Sequence, residues 1–385
     1  MANLNVTFCG VPFSNPVVLG SATPSWDGEG MKIAGLAGAA GVVPKTIGPV
    51  QSWAAHPRNG RLHIYRVAGH PVGMINIELF TTMTREQWIS KELRIAKEGG
   101  ARIIASVLAM PDPGETADLV AEIEETGLVD VLELNVSCPM PNTTVGMHIG
   151  KDARLAARQV AAARKAAKAP LCVKLTPNVS DMPPIAMACR DAGVDGIVIS
   201  NSIRSFAGVD IDTGRPRLRA YGGYTGPAIK PIIQRHLSET ARALPGFPIM
   251  ALGGVMTPED IVEYIMLGAT LVQTATAVMW HGYDVIPRLI KGLGEWMESK
   301  GVQSLDEIRG IALPHIERIE VLATMKPLFA RVDGHACTRC GICRQVCFYR
   351  AVEINERTAT VARDRCDGCG LCAEFCAASA IRLEE

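Results

Sequence analysis

The chain has 385 residues, 39 lysine and arginine side chains against 39 aspartates and glutamates, 48% hydrophobic residues and 12 cysteines. That length suits two or three ordinary domains, or one large barrel with a small module, and the hydrophobic content excludes a disordered chain. The balanced charge, with no basic block, argues against a nucleic-acid partner. The lack of a leader pattern and of any run of about 18 apolar residues predicts a cytoplasmic protein that does not enter a membrane.

In chain order, eight short apolar runs read as strands: residues 16–20, 41–46, 102–107, 131–137, 171–176, 196–201, 247–254 and 271–276. Helical patterns fall between them at 85–99, 116–126, 153–168, 182–192, 229–244 and 258–266. Apolar strands alternating with crossovers are the pattern of a parallel sheet covered on both faces. Eight such units predict an α/β fold, a (β/α)8 TIM barrel over residues 1–310. A doubly wound sheet is the alternative, but no G-x-G-x-x-G follows the first strand.

A barrel places its active groups at the C-terminal ends of its strands. Here those ends carry Ser21, Lys45, Asn135 with Ser137 and Cys138, Lys174, Asn201 with Ser202, Gly253 with Gly254, and Thr274 with Thr276. Two lysines in one mouth call for an anionic or electron-rich ligand. Glycines and open amides after the last two strands suit a phosphate. Trp53 and His56 follow the second strand but carry no clear signal, and His148 reads as an exposed loop residue.

The cysteines divide unevenly. Cys9, Cys172 and Cys189 read as packing residues, since an isolated cysteine usually behaves as a small hydrophobe. Eight of the twelve lie in residues 331–385, after a linker at 311–330, as two runs of C-x2-C-x2-C-x3-C. In that spacing three thiolates hold one [4Fe–4S] cluster, while the fourth serves the neighbouring cluster. The first cluster would take Cys337, Cys340, Cys343 and Cys376. The second would take Cys366, Cys369, Cys372 and Cys347. A disulfide scaffold would suit a secreted chain, and zinc rarely needs such tight doubled spacing. The tail resembles a bacterial two-cluster ferredoxin, an α+β module of two related halves. Phe348 and Ala377 stand where that pattern usually has proline. Eight basic and eight acidic side chains make the tail neutral, which reads as a wire built into a larger enzyme.

Further motifs carry a second resemblance. Lys-Thr-Ile-Gly (45–48), Asn-Val-Ser-Cys-Pro (135–139), Val-Lys-Leu-Thr-Pro-Asn (173–178), Tyr-Gly-Gly-Tyr-Thr-Gly (221–226) and Leu-Gly-Gly-Val (252–255) resemble the FMN barrel of the dihydroorotate dehydrogenase superfamily. With the tail, the likeness is closer to its dihydropyrimidine dehydrogenase branch. The resemblance implies that Cys138 is the catalytic acid or base, and that Asn76, Glu78, Asn135, Ser137, Asn201 and Ser202 bind substrate. It implies that Ser21, Lys45, Thr46, Lys174, Gly223, Gly226, Gly253, Gly254, Thr274, Ala275 and Thr276 hold FMN. The family more often has threonine where Ser202 stands.

The implied reaction interconverts uracil or thymine and its 5,6-dihydro form, and a thiol with a reference pKa of about 8.5 suits the proton transfer. Asparagine amides, each both donor and acceptor, match the alternating edge of a pyrimidine. The chain carries no nicotinamide or FAD motif, so the resemblance implies a FAD- and NAD(P)-binding partner subunit or a ferredoxin, in a homodimer or heterotetramer. The loop at 139–151 follows neither branch closely, which leaves open another cyclic amide or enone, or dihydroorotate. An electron-transfer subunit without chemistry is the remaining alternative, and the presence of Cys138 with three asparagines speaks against it.

Overall fold

The computed structural model describes residues 2–48, 60–78, 80–138 and 144–385. It divides into two compact units, Met1–Pro314 and His315–Glu385. The segment expected as a linker, 311–330, is thereby shared between them, with the Ala312 amide bonded to the Met266 carbonyl in the first unit. Among the described residues no helix is long and apolar enough to cross a membrane.

The first unit is a closed parallel barrel of eight strands. They are β1 (Val17–Leu19), β2 (Gly41–Val42), β3 (Arg102–Leu108), β4 (Val131–Asn135), β5 (Leu171–Lys174), β6 (Gly196–Ile199), β7 (Ile249–Leu252) and β8 (Leu271–Thr274). Each pairs with the next, and β8 returns to β1 through Gln273 opposite Val18. Seven fall inside the runs expected from sequence, and β3 runs one residue past its expected end, to Leu108. Thr46, Ser137, Thr176, Asn201 and Thr276, which close five of the runs, leave the ladder for the loops above it. Side chains alternate across a strand. Glu133 and Asn135 therefore share the face of β4 that meets Lys174 and Gln273, while Leu132 and Leu134 are also fully buried.

Helices cover the outside. Ala153–Ala166 starts at Asp152, whose carboxylate accepts from the amides of Arg154 and Leu155. Such a cap satisfies donors that have no partner inside the helix. Pro258–Met266 starts at Thr257 with a reciprocal bond to Asp260. The single helix expected at 85–99 is interrupted by a π-turn at Trp88–Glu92, which seats fully buried Trp88 against the Thr81 hydroxyl at 3.1 Å.

Two additions were not expected. A hairpin of Val6–Phe8 and Val11–Phe13 buries Phe8 and Phe13. Its residues press on strand starts: a Cβ on Gly196 would lie 2.6 Å from Cys9 Sγ, and one on Gly41 would lie 3.0 Å from the Phe13 ring. An antiparallel sheet of four strands runs Ile203–Ser205, Gly222–Thr225, His70–Asn76, Leu62–Val67. Its tight turn at Ala68 and Gly69 has both residues at positive φ, the type that matches the twist of a two-residue hairpin.

The second unit repeats one pattern twice. Phe329–Val332 pairs with Ile381–Glu384, and Val352–Ile354 pairs with Ala359–Val361. Short helices Ile342–Gln345 and Leu371–Glu374 follow the glycines of each cysteine run, Gly341 and Gly370, both at φ +80°.

Candidate active site

The C-terminal ends of the strands surround a cavity that opens to solvent. Sequence-distant groups meet there: Cys138, Asn76, Glu78, Asn135, Asn201 and Ser202 line it, with Ser21, Lys45, Thr46, Lys174, Gly226, Gly253, Gly254, Thr274, Ala275 and Thr276. Ser137 and Gly223 do not line it. Each instead holds a neighbour: Ser137 Oγ accepts from Asn201 Nδ2 at 2.9 Å, and the Gly223 carbonyl accepts from Asn76 Nδ2 at 3.2 Å.

The amides form a fixed chain. Asn135 Nδ2 donates to Thr46 Oγ1 at 2.8 Å, and its Oδ1 accepts from the Ser137 amide at 2.9 Å and hydroxyl at 2.8 Å. Asn201 Oδ1 accepts from the Ser202 amide at 2.7 Å. Asn76 reaches the mouth because its strand in the upper sheet pairs with Gly222–Thr225.

Both lysines are paired with buried carboxylates. Lys45 Nζ donates to Glu78 Oε2 at 3.1 Å, and Thr23 Oγ1 donates to the same oxygen at 2.6 Å. Arg61 Nε stands 3.4 Å from the other oxygen. Burial pushes the Glu78 carboxyl up, but Lys45, Thr23 and Arg61 together hold it below its ordinary value. Glu78, expected to face substrate, thus also fixes Lys45. Beneath, Lys174 Nζ lies 3.7 Å from Glu133 Oε1, with side chains 2% and 0% exposed, and Gln273 Nε2 donates to Glu133 Oε2 at 3.3 Å.

The four barrel cysteines differ in setting. Burial pushes the thiols of Cys9 and Cys172 far up and that of Cys189 up to about 12, so none is poised to ionise. Cys138 lines the cavity with 8% exposure. Its carbonyl accepts from the Met147 amide at 2.9 Å, and a Cβ on Gly146 would lie 2.4 Å from that oxygen. Gly146, at φ +60°, therefore lets the returning chain close against Cys138. Of the loop between them, Pro139 and residues 140–143 lie outside the described residues, as do Trp53 and His56. His148 is exposed in the short helix Met147–Gly150.

The other end of the cavity is shaped by close backbone. A Cβ on Gly253 would lie 2.8 Å from Ile233, and one on Gly254 would lie 2.7 Å from Lys230. Their φ values are +138° and +77°. Thr276–His281 begins beside them, and first-turn amides have no partner within a helix. Gln273, Met74, Thr225 and Met279 also line the cavity and were not expected. Gln273 had a signal, a polar residue inside an apolar strand. Met74 and Thr225 belong to the upper sheet, which sequence reading did not find.

In the second unit, Cys337, Cys340, Cys343 and Cys376 line one small cavity. Cys347, Cys366, Cys369 and Cys372 line another. No cysteine of the chain is in a disulfide. Among the described residues, no three histidine, cysteine or acidic side chains converge on a single metal ion. Led by the Ala359 amide, and helped by the amide and charge of Arg339, the surroundings hold the Cys337 thiol below its ordinary value.

Compared with known families, residues 3–297 match the one described as dihydroorotate dehydrogenase. The chain belongs to the dihydroorotate dehydrogenase family. Among relatives within reach of this family, the NAD-dependent dihydropyrimidine dehydrogenase subunit PreA of Escherichia coli (strain K12) is 30% identical over 369 residues, covering 93% of this chain and 89% of that one. The catalytic subunit of dihydroorotate dehydrogenase B (NAD(+)) from Methanothermobacter thermautotrophicus is 35% identical over 312 residues, covering 80% of this chain and 98% of that one. Its counterpart from Pyrococcus furiosus is 34% identical over 312 residues, covering 80% and 99%. These dihydroorotate dehydrogenase family relatives are oxidoreductases, and by name each is a subunit. The first alignment spans more of the chain than the barrel unit contains.

Proposed function

We propose that the chain is a flavin and iron–sulfur oxidoreductase that interconverts uracil or thymine and its 5,6-dihydro form. The observation that carries this reading is one cavity lined by Cys138, three asparagines and two lysines, in a chain that also brings eight thiols around two cages.

The barrel cavity fits FMN. Gly253 and Gly254 leave a cradle that side chains would fill. Lys45 and Lys174 offer positive charge to an electron-rich ring. The amides near Ala275 and Thr276 are placed for a phosphate. Bound there, FMN supplies hydride chemistry through its N5. Each four-thiol cage fits a [4Fe–4S] cluster, which moves single electrons.

The chain's own groups do the remaining work. The Cys138 thiol gives a proton to ring C5 in reduction and takes it back in oxidation. Asn76, Asn135 and Asn201 read the amide edge of the ring, and their hydrogen bonds to Gly223, Thr46, Ser137 and Ser202 set their orientation beforehand. An amide donor near the ring carbonyl stabilises charge as the enolate forms. The Met147 amide bonds the Cys138 carbonyl, which anchors the backbone of a residue that lines the cavity. A partner subunit with FAD and a nicotinamide site would exchange electrons with the cages.

Dihydroorotate is the second reading, favoured by the relatives at 34–35% identity. Its carboxylate asks for a cation, and the cationic side chains that line the cavity among the described residues, Lys45 and Lys174, are the ones given to the flavin. The deciding experiment reduces the FMN-loaded protein without oxygen and adds uracil, thymine or orotate. Flavin reoxidation by uracil or thymine supports the first reading. Reoxidation by orotate alone, or by none of the three, would sink it.

A further inference from the structure

The tail is an internal repeat, so each half serves as a control for the other. Positions recur 29 residues on, as Cys337 and Cys366 or Cys347 and Cys376 do. The backbone follows: Arg350 and Ser379 both hold positive φ, at +56° and +49°. The donors to sulfur also match. Ala359 and Ala380 donate to Cys337 and Cys376 at 3.5 and 3.3 Å. Ala330 and Ala351 donate to Cys366 and Cys347 at the same two distances. These four backbone donors are matched between the cages, so they create no difference between them.

Charge is where the halves part. The cavity of Cys337, Cys340, Cys343 and Cys376 is lined by one charged side chain, Arg339. The cavity of Cys347, Cys366, Cys369 and Cys372 is lined by one charged side chain, Asp367, which also bonds the Tyr349 hydroxyl. The repeat places Thr338 opposite Asp367 and Arg339 opposite Gly368. Gly368 has no alternative, since a Cβ there would lie 2.3 Å from the Leu328 carbonyl. Arg339 occupies the same left-handed region at φ +59°, where side chains are disfavoured, and its guanidinium bonds the Glu356 carbonyl.

Resting on the cluster reading above, we infer that the two cages hold clusters of unequal potential. Arg339 makes the Cys337/Cys340/Cys343/Cys376 cluster the easier to reduce, and Asp367 makes the Cys347/Cys366/Cys369/Cys372 cluster the harder. Added negative charge is stabilised beside a cation and opposed beside an anion. Between the two, one electron leaves the second cluster, which is oxidised, and enters the first, which is reduced. No bond or proton moves. The first cluster is thus the resting place of an electron in the tail.

The test is an anaerobic redox titration of the full chain, followed by electron paramagnetic resonance, with iron measured on the same sample. Two separate one-electron waves are expected. Asp367→Asn should raise the lower wave and Arg339→Gln should lower the upper one. Each change is roughly tenfold in the equilibrium between clusters, or about 59 mV for one electron. Arg339→Lys, which keeps the charge, should leave both waves in place. High salt should narrow the gap, because both side chains are exposed. Coincident waves in the unaltered protein, or Arg339→Gln moving the lower wave, would overturn the inference. Iron well short of about eight atoms per chain would overturn the cluster reading instead.

Discussion

In the tail, each cage draws three thiols from a stretch of seven residues and a fourth from the other half, with the same glycine and the same short turn of helix in both. In the barrel mouth, Lys45, Asn76, Cys138, Lys174 and Asn201 come from the ends of different strands and from an added sheet. The tail is a local device, whose thiols are held by spacing. The mouth is a global one, whose groups are held by barrel closure and by each other's hydrogen bonds. Damage should therefore stay local in the tail and spread in the mouth.

The largest effect tests the chemistry itself. Cys138→Ala should lower turnover about 10²- to 10⁴-fold, with flavin absorbance and iron content unchanged. Near-normal turnover would remove Cys138 from the proton transfer. Next, Cys340→Ala should cost one cage: iron falls to about half the normal content, while flavin stays bound and is still reoxidised by pyrimidine. Loss of flavin as well would show that the two regions are not independent.

Smaller effects sharpen the contrast. Gly253→Ala adds a Cβ 2.8 Å from Ile233 at φ +138°. We expect a loss of about 1–3 kcal/mol and weaker flavin retention, read by thermal release of flavin, with iron unaffected. Ser137→Ala breaks the joint between Asn135 and Asn201 and leaves the half-buried Asn201 Nδ2 without its Ser137 partner. That should cost about 1–3 kcal/mol and raise KM more than it lowers kcat. An unchanged KM would mean that the joint does not position the amides.

The smallest effect is in acid. The Glu78 carboxyl sits below its ordinary value, so its contribution is complete above the unfolded carboxylate range. It fades as pH falls through that range and down to the lower folded value. Glu78→Gln should flatten this acid limb in a plot of unfolding midpoint against pH. An unaltered limb would show that Lys45, Thr23 and Arg61 do not stabilise the charged form.

The eight barrel strands were legible because a strand buried on both faces leaves a continuous apolar run, broken where the chain turns. The division of the eight thiols into two runs was legible from spacing. The upper sheet was not. Its strand Leu62–Val67 is mostly exposed and lacks the clear apolar alternation of a half-buried strand. The π-turn at Trp88–Glu92 was hidden because its residues keep a helical pattern. The role of Ser137 as a joint was hidden because its partner Asn201 is 64 residues away.

By itself, then, the sequence determined the strands of the barrel, the barrel class and the list of chemical groups, since each of these follows from local period or spacing. Tertiary structure decided which groups meet, which carboxylate holds which lysine, and that Glu133 and Gln273 lie beneath Lys174 at the centre of the barrel. The physical reason is range. Helix caps, strand alternation and cysteine turns act over a few residues, whereas a buried charge is settled by whatever strand closure brings against it.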